Sequence, residues 1–263
     1  MTNSLEIEND GRLRVLRLNR PERKNALNSE LLWAIADAIR DAAHDEDVWA
    51  LALTGNGDAF CSGLDLASND SDPDDRADED DGADAADHFA MVMRVECEKP
   101  ILAGVNGVAV GIGVSLAMAA DIRIAAPSAR FHPGYARVAT SPDGGATVTI
   151  SQALGYEGAM RFFLEQRMVS ATEARDIGLV GEVTESEAEF EDRFLAYGRM
   201  LAGLAPIAAQ QTKRLVSRVT TPAELPAHLD EEIRLALRGL SSEDSREAVR
   251  AMMTKESPQF QGR

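Results

Sequence analysis

Short apolar runs recur along the chain, several of them ending in glycine- or asparagine-bearing turns, and they set the expected order of elements. Residues 101–105 (ILAGV) are apolar throughout and partly β-branched, which predicts a buried strand. Asn106-Gly107 supplies a tight turn and 108–110 (VAV) a second short strand. Gly111-Ile112-Gly113 then opens an apolar helix over 114–120, stopped near Asp121. An earlier stretch repeats the motif: 48–54 predicts a strand and 55–66 (GNGDAFCSGLDL) a glycine-bearing turn. Further strands are predicted over 14–18, 122–125 and 179–183, with a turn at 127–129 and an irregular segment over 131–143. A helix follows Asn28 or Ser29, either of which can cap it, and Leu31, Leu32, Ile35, Ile39 and Ala42 share one of its faces. Helices are also predicted over 88–97, 144–154 and 156–165, the last two separated by Gly155, and from Thr172. Beyond Glu185 the pattern is helical, with Pro206, Pro222 and Pro226 marking helix starts.

A helix that begins on glycines leaves backbone N–H groups unpaired at its positive end, with no side chains in the way. Such an end can hold a developing negative charge. The plain alternative is a buried helix whose glycines only permit close packing, and for 111–120 alone that reading is the commoner one.

The chain of 263 residues is long enough for one good core, expected over 1–200, with a helical region over 201–263. No run is apolar enough to span a bilayer, and the first residues, MTNSLEIENDGR, do not read as a signal peptide. Two cysteines, Cys61 and Cys97, give no disulfide framework and point to a reducing cytoplasm. A net charge of −17 repels phosphates, which argues against a nucleic-acid partner. With only four lysines and abundant Asp, the surface suits high salt, where self-repulsion is screened; stability indifferent to removal of salt would contradict that hypothesis. Residues 69–87 hold ten acidic side chains and read as a solvated, mobile loop; metal binding there is the minor possibility, since no ordered ligand spacing occurs.

The two glycine-bearing stretches, GNGDAFCSGLDL at 55–66 and KPILAGVNGVAVGIGVSLAMAAD at 99–121, together resemble the paired signatures of the enoyl-CoA hydratase/isomerase (crotonase) family. The resemblance runs from the first strand to the C-terminal SREAVRAMMTKESPQFQG. It implies an α/β fold, a crotonase-type spiral of ββα repeats with a C-terminal helical region. It further implies an acyl-CoA thioester substrate, no separate cofactor or metal since coenzyme A is part of the substrate, and a homotrimer or dimer of trimers formed through 201–263. No nucleic-acid or membrane partner is expected. By the same resemblance the turn Arg23-Lys24-Asn25-Ala26 lies against coenzyme A, its basic side chains near the phosphates and Ala26 near the pantetheine. Read alone, Arg23 and Lys24 are equally well solvated surface charges.

The α-carbon of a thioester becomes acidic when its enolate oxygen is stabilised, and two N–H donors contribute roughly 3 kcal/mol each. The resemblance assigns those donors to Leu64 and Ile112, within Ser62-Gly63-Leu64-Asp65-Leu66 and beside Gly111. Hydratases of the family place two glutamates at positions that here hold Ser115 and fall within Pro133-Gly134-Tyr135, and neither is acidic. The remaining carboxyl is Asp143, in Ser141-Pro142-Asp143-Gly144-Gly145, which most resembles the phenylacetate-pathway isomerases. One carboxyl near both carbons suffices to move a double bond. Three roles remain open for Asp143: proton shuttle of an isomerase, partner of a water in a hydratase, or a mere helix cap in a non-catalytic acyl-CoA-binding protein. Tyr135 and His132 are candidate pocket residues, though packed side chains of these types are commoner. Ser115 in GVSLA lacks the nucleophile elbow of a serine hydrolase, and 111–116 lacks the third glycine of a dinucleotide fingerprint.

Overall fold

The computed structural model describes residues 4–65 and 89–263. Leu66 and the acidic loop predicted over 69–87 lie outside those residues. Two sheets share the strands. The larger has the order β1 (Leu5–Asp10), β2 (Leu13–Leu18), β3 (Ala50–Gly55), β5 (Ile101–Val105), β7 (Ile122–Ala125) and β10 (Glu182–Val183). The smaller has the order β4 (Ala59–Cys61), β6 (Val108–Val110), β8 (Arg130–His132) and β9 (Val169–Ser170). β2 pairs parallel with β3, β3 with β5, and β5 with β7, while β4, β6 and β8 run parallel beside one another. The chain therefore steps from the large sheet to the small one three times, at β3–β4, β5–β6 and β7–β8. This mixed α/β spiral with a helical C-terminal region is the fold class expected.

The strands pack apolar side chains on both faces, as buried parallel strands do. Leu16, Leu18, Leu51 and Leu53 join the main core with helix α1 (Ser29–His44), whose buried face holds Leu31, Leu32, Ile35, Ile39 and Ala42. Asn28 is the cap of α1, accepting the Leu31 N–H at 3.1 Å. Leu13, Val15, Ala50, Ala52 and Leu102 face the other way, against Phe190 and Phe194. Those two rings belong to helix α5 (Glu187–Ala202), which follows α2 (Ile112–Ala119), α3 (Ala146–Glu165) and α4 (Ala171–Ile177). The C-terminal region is α6 (Pro206–Thr220), α7 (Leu225–Leu240) and α8 (Glu243–Thr254). Among the described residues no helix is long and apolar enough to cross a membrane.

Several local expectations need correction. The N-terminal strand β1 is an edge strand with mostly exposed side chains, so no apolar run announces it. The stretch 55–66 contains a strand, β4, as well as turns. The segment 131–143 is less irregular than its sequence implies, contributing to β8 and to a 3-10 turn, Tyr135–Val138. Only Glu182–Val183 of 179–183 is strand, because only those residues pair with β7. Residues 89–96 pass into a π turn, Val92–Glu96, in place of a regular helix end. Pro222 precedes a turn, not a helix; the break expected at Gly155 is present, its φ of 70° and ψ of 174° being non-helical within the run 146–165.

Candidate active site

The ends of β4 and β6 lie side by side, and each leads directly into one of the glycine-bearing segments. Asn106-Gly107 fixes their relation: the Asn106 amide donates to the carbonyls of Gly57 (3.0 Å) and Ala59 (3.2 Å). A Cβ on Gly107 would come within 2.1 Å of the Asp58 carbonyl oxygen, so only glycine lets the two turns touch. One turn further, a Cβ on Gly113 would lie 2.5 Å from the Cys61 carbonyl oxygen and 2.9 Å from its Sγ. The first turn of α2 thus rests directly on the end of β4.

This contact brings the two expected N–H donors to neighbouring strand ends. Ile112 is the first residue of α2, whose cap, Gly111, offers no side-chain bond. The Gly111 carbonyl instead accepts from Val114 (2.8 Å) and Ser115 (3.2 Å). Leu64 sits in a parallel bridge with Leu27, but that bridge uses the Gly63 carbonyl and the Asp65 N–H. Among the described residues neither the Leu64 N–H nor the Ile112 N–H is engaged by an acceptor.

The turn before α1 is tied to the same segment. Leu27 N–H donates to Gly63 O (2.8 Å), Ser62 N–H to Lys24 O (2.9 Å) and Asp65 N–H to Leu27 O (2.8 Å). The Ser62 hydroxyl donates to Arg23 O at 3.2 Å. Two residues not assigned a role from sequence hold this arrangement. Arg20 pairs with the buried Asp65 carboxylate at 2.7 Å and donates to the Ala26 carbonyl at 2.5 Å. Asn25, fully buried, donates to Asn56 O (2.9 Å) and Ala59 O (2.8 Å) and accepts the Arg20 N–H (2.9 Å). Asn25 stands inside the quoted motif, which was the available signal; Arg20 had none. Asp65 is therefore turned into the scaffold, Ala26 is buried, Arg23 is exposed, and the exposed Lys24 pairs with Asp58.

The remaining hydroxyl and carboxyl candidates gather around α2. Ser115 is completely buried on α2, and its hydroxyl is hydrogen-bonded to that of Tyr135. The next turn of chain is wedged against α2, since a Cβ on Gly144 would be 3.2 Å from Ser115 Cβ and 2.8 Å from the Phe89 ring. Asp143 immediately precedes it. Its Oδ1 is buried without a hydrogen-bond partner among the described residues. Burial, then the negative charge of Glu232, push the Asp143 carboxyl up to about 7, against a hydrogen bond from Tyr135 that lowers it. Burial and the Asp143 charge push the Tyr135 hydroxyl well above its ordinary range. Glu232, which had no local sequence signal, reaches this point from α7.

The other candidates are structural. His132 contacts the Gln166 carbonyl at 3.0 Å and is lowered mainly by burial. Burial pushes the Cys61 thiol up to about 12, which removes it as a nucleophile at neutral pH. Among the described residues no three His, Cys, Asp or Glu side chains gather as metal ligands.

A chain with these features has many relatives. The enoyl-CoA hydratase/isomerase family pattern matches residues 8–263. A protein described as a probable enoyl-CoA hydratase, from Rhodobacter capsulatus, is 36% identical over 262 residues, covering 95% of each chain. The 1,2-epoxyphenylacetyl-CoA isomerase of Escherichia coli is 33% identical over 250 residues, covering 94% of each. The crystal structure of an enoyl-CoA hydratase/isomerase from Pseudoalteromonas atlantica superposes with a TM-score of 0.88 at 33% identity, covering 98% of this chain and all of that one.

Proposed function

Since this chain belongs to the enoyl-CoA hydratase/isomerase family and is an acyl-CoA enzyme of it, we propose that its reaction is migration of a double bond in an enoyl-CoA thioester. The Asp143 carboxylate removes a proton from C2 of a 3-enoyl-CoA. The electron pair moves onto the thioester oxygen as a dienolate. The Leu64 and Ile112 N–H groups stabilise that oxygen, each by about 3 kcal/mol. The protonated Asp143 then returns the proton to C4, giving the 2-enoyl-CoA. One proton leaves and one is returned, so no water and no cofactor enter. Ser62, Gly63, Asp65 and Gly111 serve as the walls and braces of the thioester site, and Arg23, Lys24 and Ala26 face coenzyme A.

The observation that carries this reading is the Asp143 carboxyl itself, buried with one oxygen unpartnered and poised at about 7. A group of that kind accepts and returns a proton with little driving force lost in either direction. A helix cap would behave differently: its oxygen would accept the N–H groups of the next turn. Here the first turn of α3 is served by Glu232 instead. The printed name of the Escherichia coli relative, an isomerase, supports the same reading. Apolar side chains left exposed on α6, among them Ile207 and Val219, are consistent with assembly into a homotrimer or a dimer of trimers.

The test is a paired assay of 3-hexenoyl-CoA isomerisation and crotonyl-CoA hydration, with Asp143→Asn beside the wild type. Isomerisation lost in a folded Asp143→Asn, with little hydration in either protein, is the expected result. Strong hydration that survives the substitution would overturn the reading, and so would the absence of any enoyl-CoA turnover in the wild type.

A further inference from the structure

A carboxyl that carries a proton between two carbons needs a fixed direction as well as a suitable proton affinity. Asp143 is followed by Gly144 and Gly145, both with positive φ, 60° and 75°. Two successive glycines leave the preceding side chain loosely aimed unless something holds the turn. Helix α3 supplies no cap of its own, because its N-cap position is Gly145.

The missing brace comes from the C-terminal region, 87 residues along the chain. The Glu232 carboxylate, 4% exposed, accepts the N–H of Gly145 at 2.8 Å and the N–H of Thr147 at 3.1 Å. It also accepts the Thr147 hydroxyl. A carboxylate at a helix N-terminus meets both the unpaired donors and the positive end of the dipole. The rest of α7 is fastened to the other side of the same segment. Thr140 Oγ1 donates to the Ala236 carbonyl at 2.9 Å, and a Cβ on Gly239 would lie 2.6 Å from the Ala139 carbonyl oxygen. Residues 139–147, with Asp143 at their middle, are therefore held at both ends by one helix.

We propose that Glu232 is the positioning residue for Asp143: it locks the Gly144-Gly145 turn that aims the Asp143 carboxyl and keeps a negative charge beside it. This rests on reading Asp143 as the proton carrier. The two functions of Glu232 are separable. Its hydrogen bonds set direction, whereas its charge makes ionisation of Asp143 harder and the carboxylate, once formed, more basic. Among the described residues the ionisable groups acting on Asp143 are Glu232 from α7 and Tyr135 from the 3-10 turn, which act in opposite senses. His228, one turn before Glu232, lies 3.4 Å from its carboxylate and 2.6 Å from the Thr147 hydroxyl, so it faces the same group.

The experiment compares wild type, Glu232→Gln, Glu232→Asp and Asp143→Asn in the pH profiles of kcat and kcat/KM for 3-hexenoyl-CoA, with far-UV circular dichroism as the check on folding. Glu232→Gln removes the charge and keeps the side-chain length. Its acid limb is expected to move down by roughly half a pH unit or more, and its plateau kcat to fall about tenfold or more, with KM little changed. An acid limb that stays in place, whatever happens to kcat, overturns the proposal, because a brace without electrostatic influence would behave that way. Should Glu232→Gln not fold, Glu232→Asp decides. It keeps the charge but is too short to hold both N–H groups, so a fall in kcat at unchanged KM and acid limb supports the proposal, and wild-type kcat overturns it. Isomerisation retained in Asp143→Asn would sink the Asp143 reading and this inference with it. Loss in Asp143→Asn with wild-type behaviour in both Glu232 variants would sink this inference alone.

Discussion

The hydroxyls of Ser115 and Tyr135 are hydrogen-bonded to each other inside the protein, one from α2 and the other from the 3-10 turn that follows β8. By the resemblance drawn from the sequence, Ser115 stands where hydratases of the family are expected to carry one of two glutamates, and Tyr135 falls within the stretch expected to carry the other. Both positions here hold hydroxyls, neither of which is a base at neutral pH. In the proposed reaction the acid–base work therefore falls to Asp143, on which the Tyr135 hydroxyl also acts.

That action has a definite sign. Hydrogen bonding from Tyr135 favours the ionised form of Asp143, opposing burial and Glu232. Tyr135→Phe should therefore raise the proton affinity of Asp143 and move the acid limb of kcat/KM upward, by roughly half a unit. This is the opposite direction to Glu232→Gln. A downward shift in Tyr135→Phe, measured on 3-hexenoyl-CoA, would show that the hydroxyl does not serve the carboxylate.

Stability should carry the same signature. The folded protein holds the Asp143 proton up to about 7, against an ordinary value of 3.8. Between those values the native state binds more protons than the unfolded state, so this contribution to stability is present below the lower value and lost as pH rises through the upper one. Asparagine cannot ionise and escapes the loss. The Tm of Asp143→Asn relative to wild type should therefore increase from pH 4 to pH 8, by about 2–4 °C for each kcal/mol involved. Thermal melts giving the same difference at both pH values would refute burial as the cause.

Legibility in the sequence follows the range of the interactions. β5, β6 and β7 were readable to the residue because each is a short run closed by a turn, wholly apolar in β5 and β6 and broken only by Arg123 in β7. Gly155 was readable because a glycine between two helical patterns leaves few alternatives. β1 was not, since an exposed edge strand has no apolar face to betray it. β4 and β9 are three and two residues long and exist only through their partners. On the site, the glycines of 55–66 and 111–113 were visible as close approaches. Glu232 was not, because a carboxylate on an amphipathic helix looks solvated until the fold buries it under α3.

The contact between α2 and β4 yields a sharper test than the glycines' sequence pattern. A Cβ on Gly113 meets backbone, the Cys61 carbonyl oxygen, at 2.5 Å, and backbone cannot swing aside as a side chain does. In Gly113→Ala the first turn of α2 must lift from the end of β4, parting Ile112 from Leu64. Loss of one donor's alignment should lower kcat by about 10²-fold while KM changes little. A variant that folds and keeps its wild-type kcat would mean that these two N–H groups do not share an oxyanion.

Lys24 poses the remaining question about coenzyme A. Its ammonium pairs with Asp58, but the two side chains are 52% and 73% exposed, and solvent screens such a surface pair to a small contribution. A phosphate carrying more charge can therefore draw Lys24 away at little cost. If Lys24 serves the nucleotide end of the substrate, Lys24→Ala should raise KM a few-fold with kcat unchanged, since a remote contact binds ground state and transition state alike. Asp58→Asn should act in reverse, because it frees the ammonium in advance and so lowers KM. Both effects should shrink as salt screens the charges, and both should vanish with a pantetheine thioester that lacks the nucleotide. Unequal KM changes on the full and truncated substrates would locate the contact at the phosphates. Identical changes on the two would place Lys24 outside that contact and leave the exposed Arg23 as the basic residue of this turn to examine by the same pair of substrates.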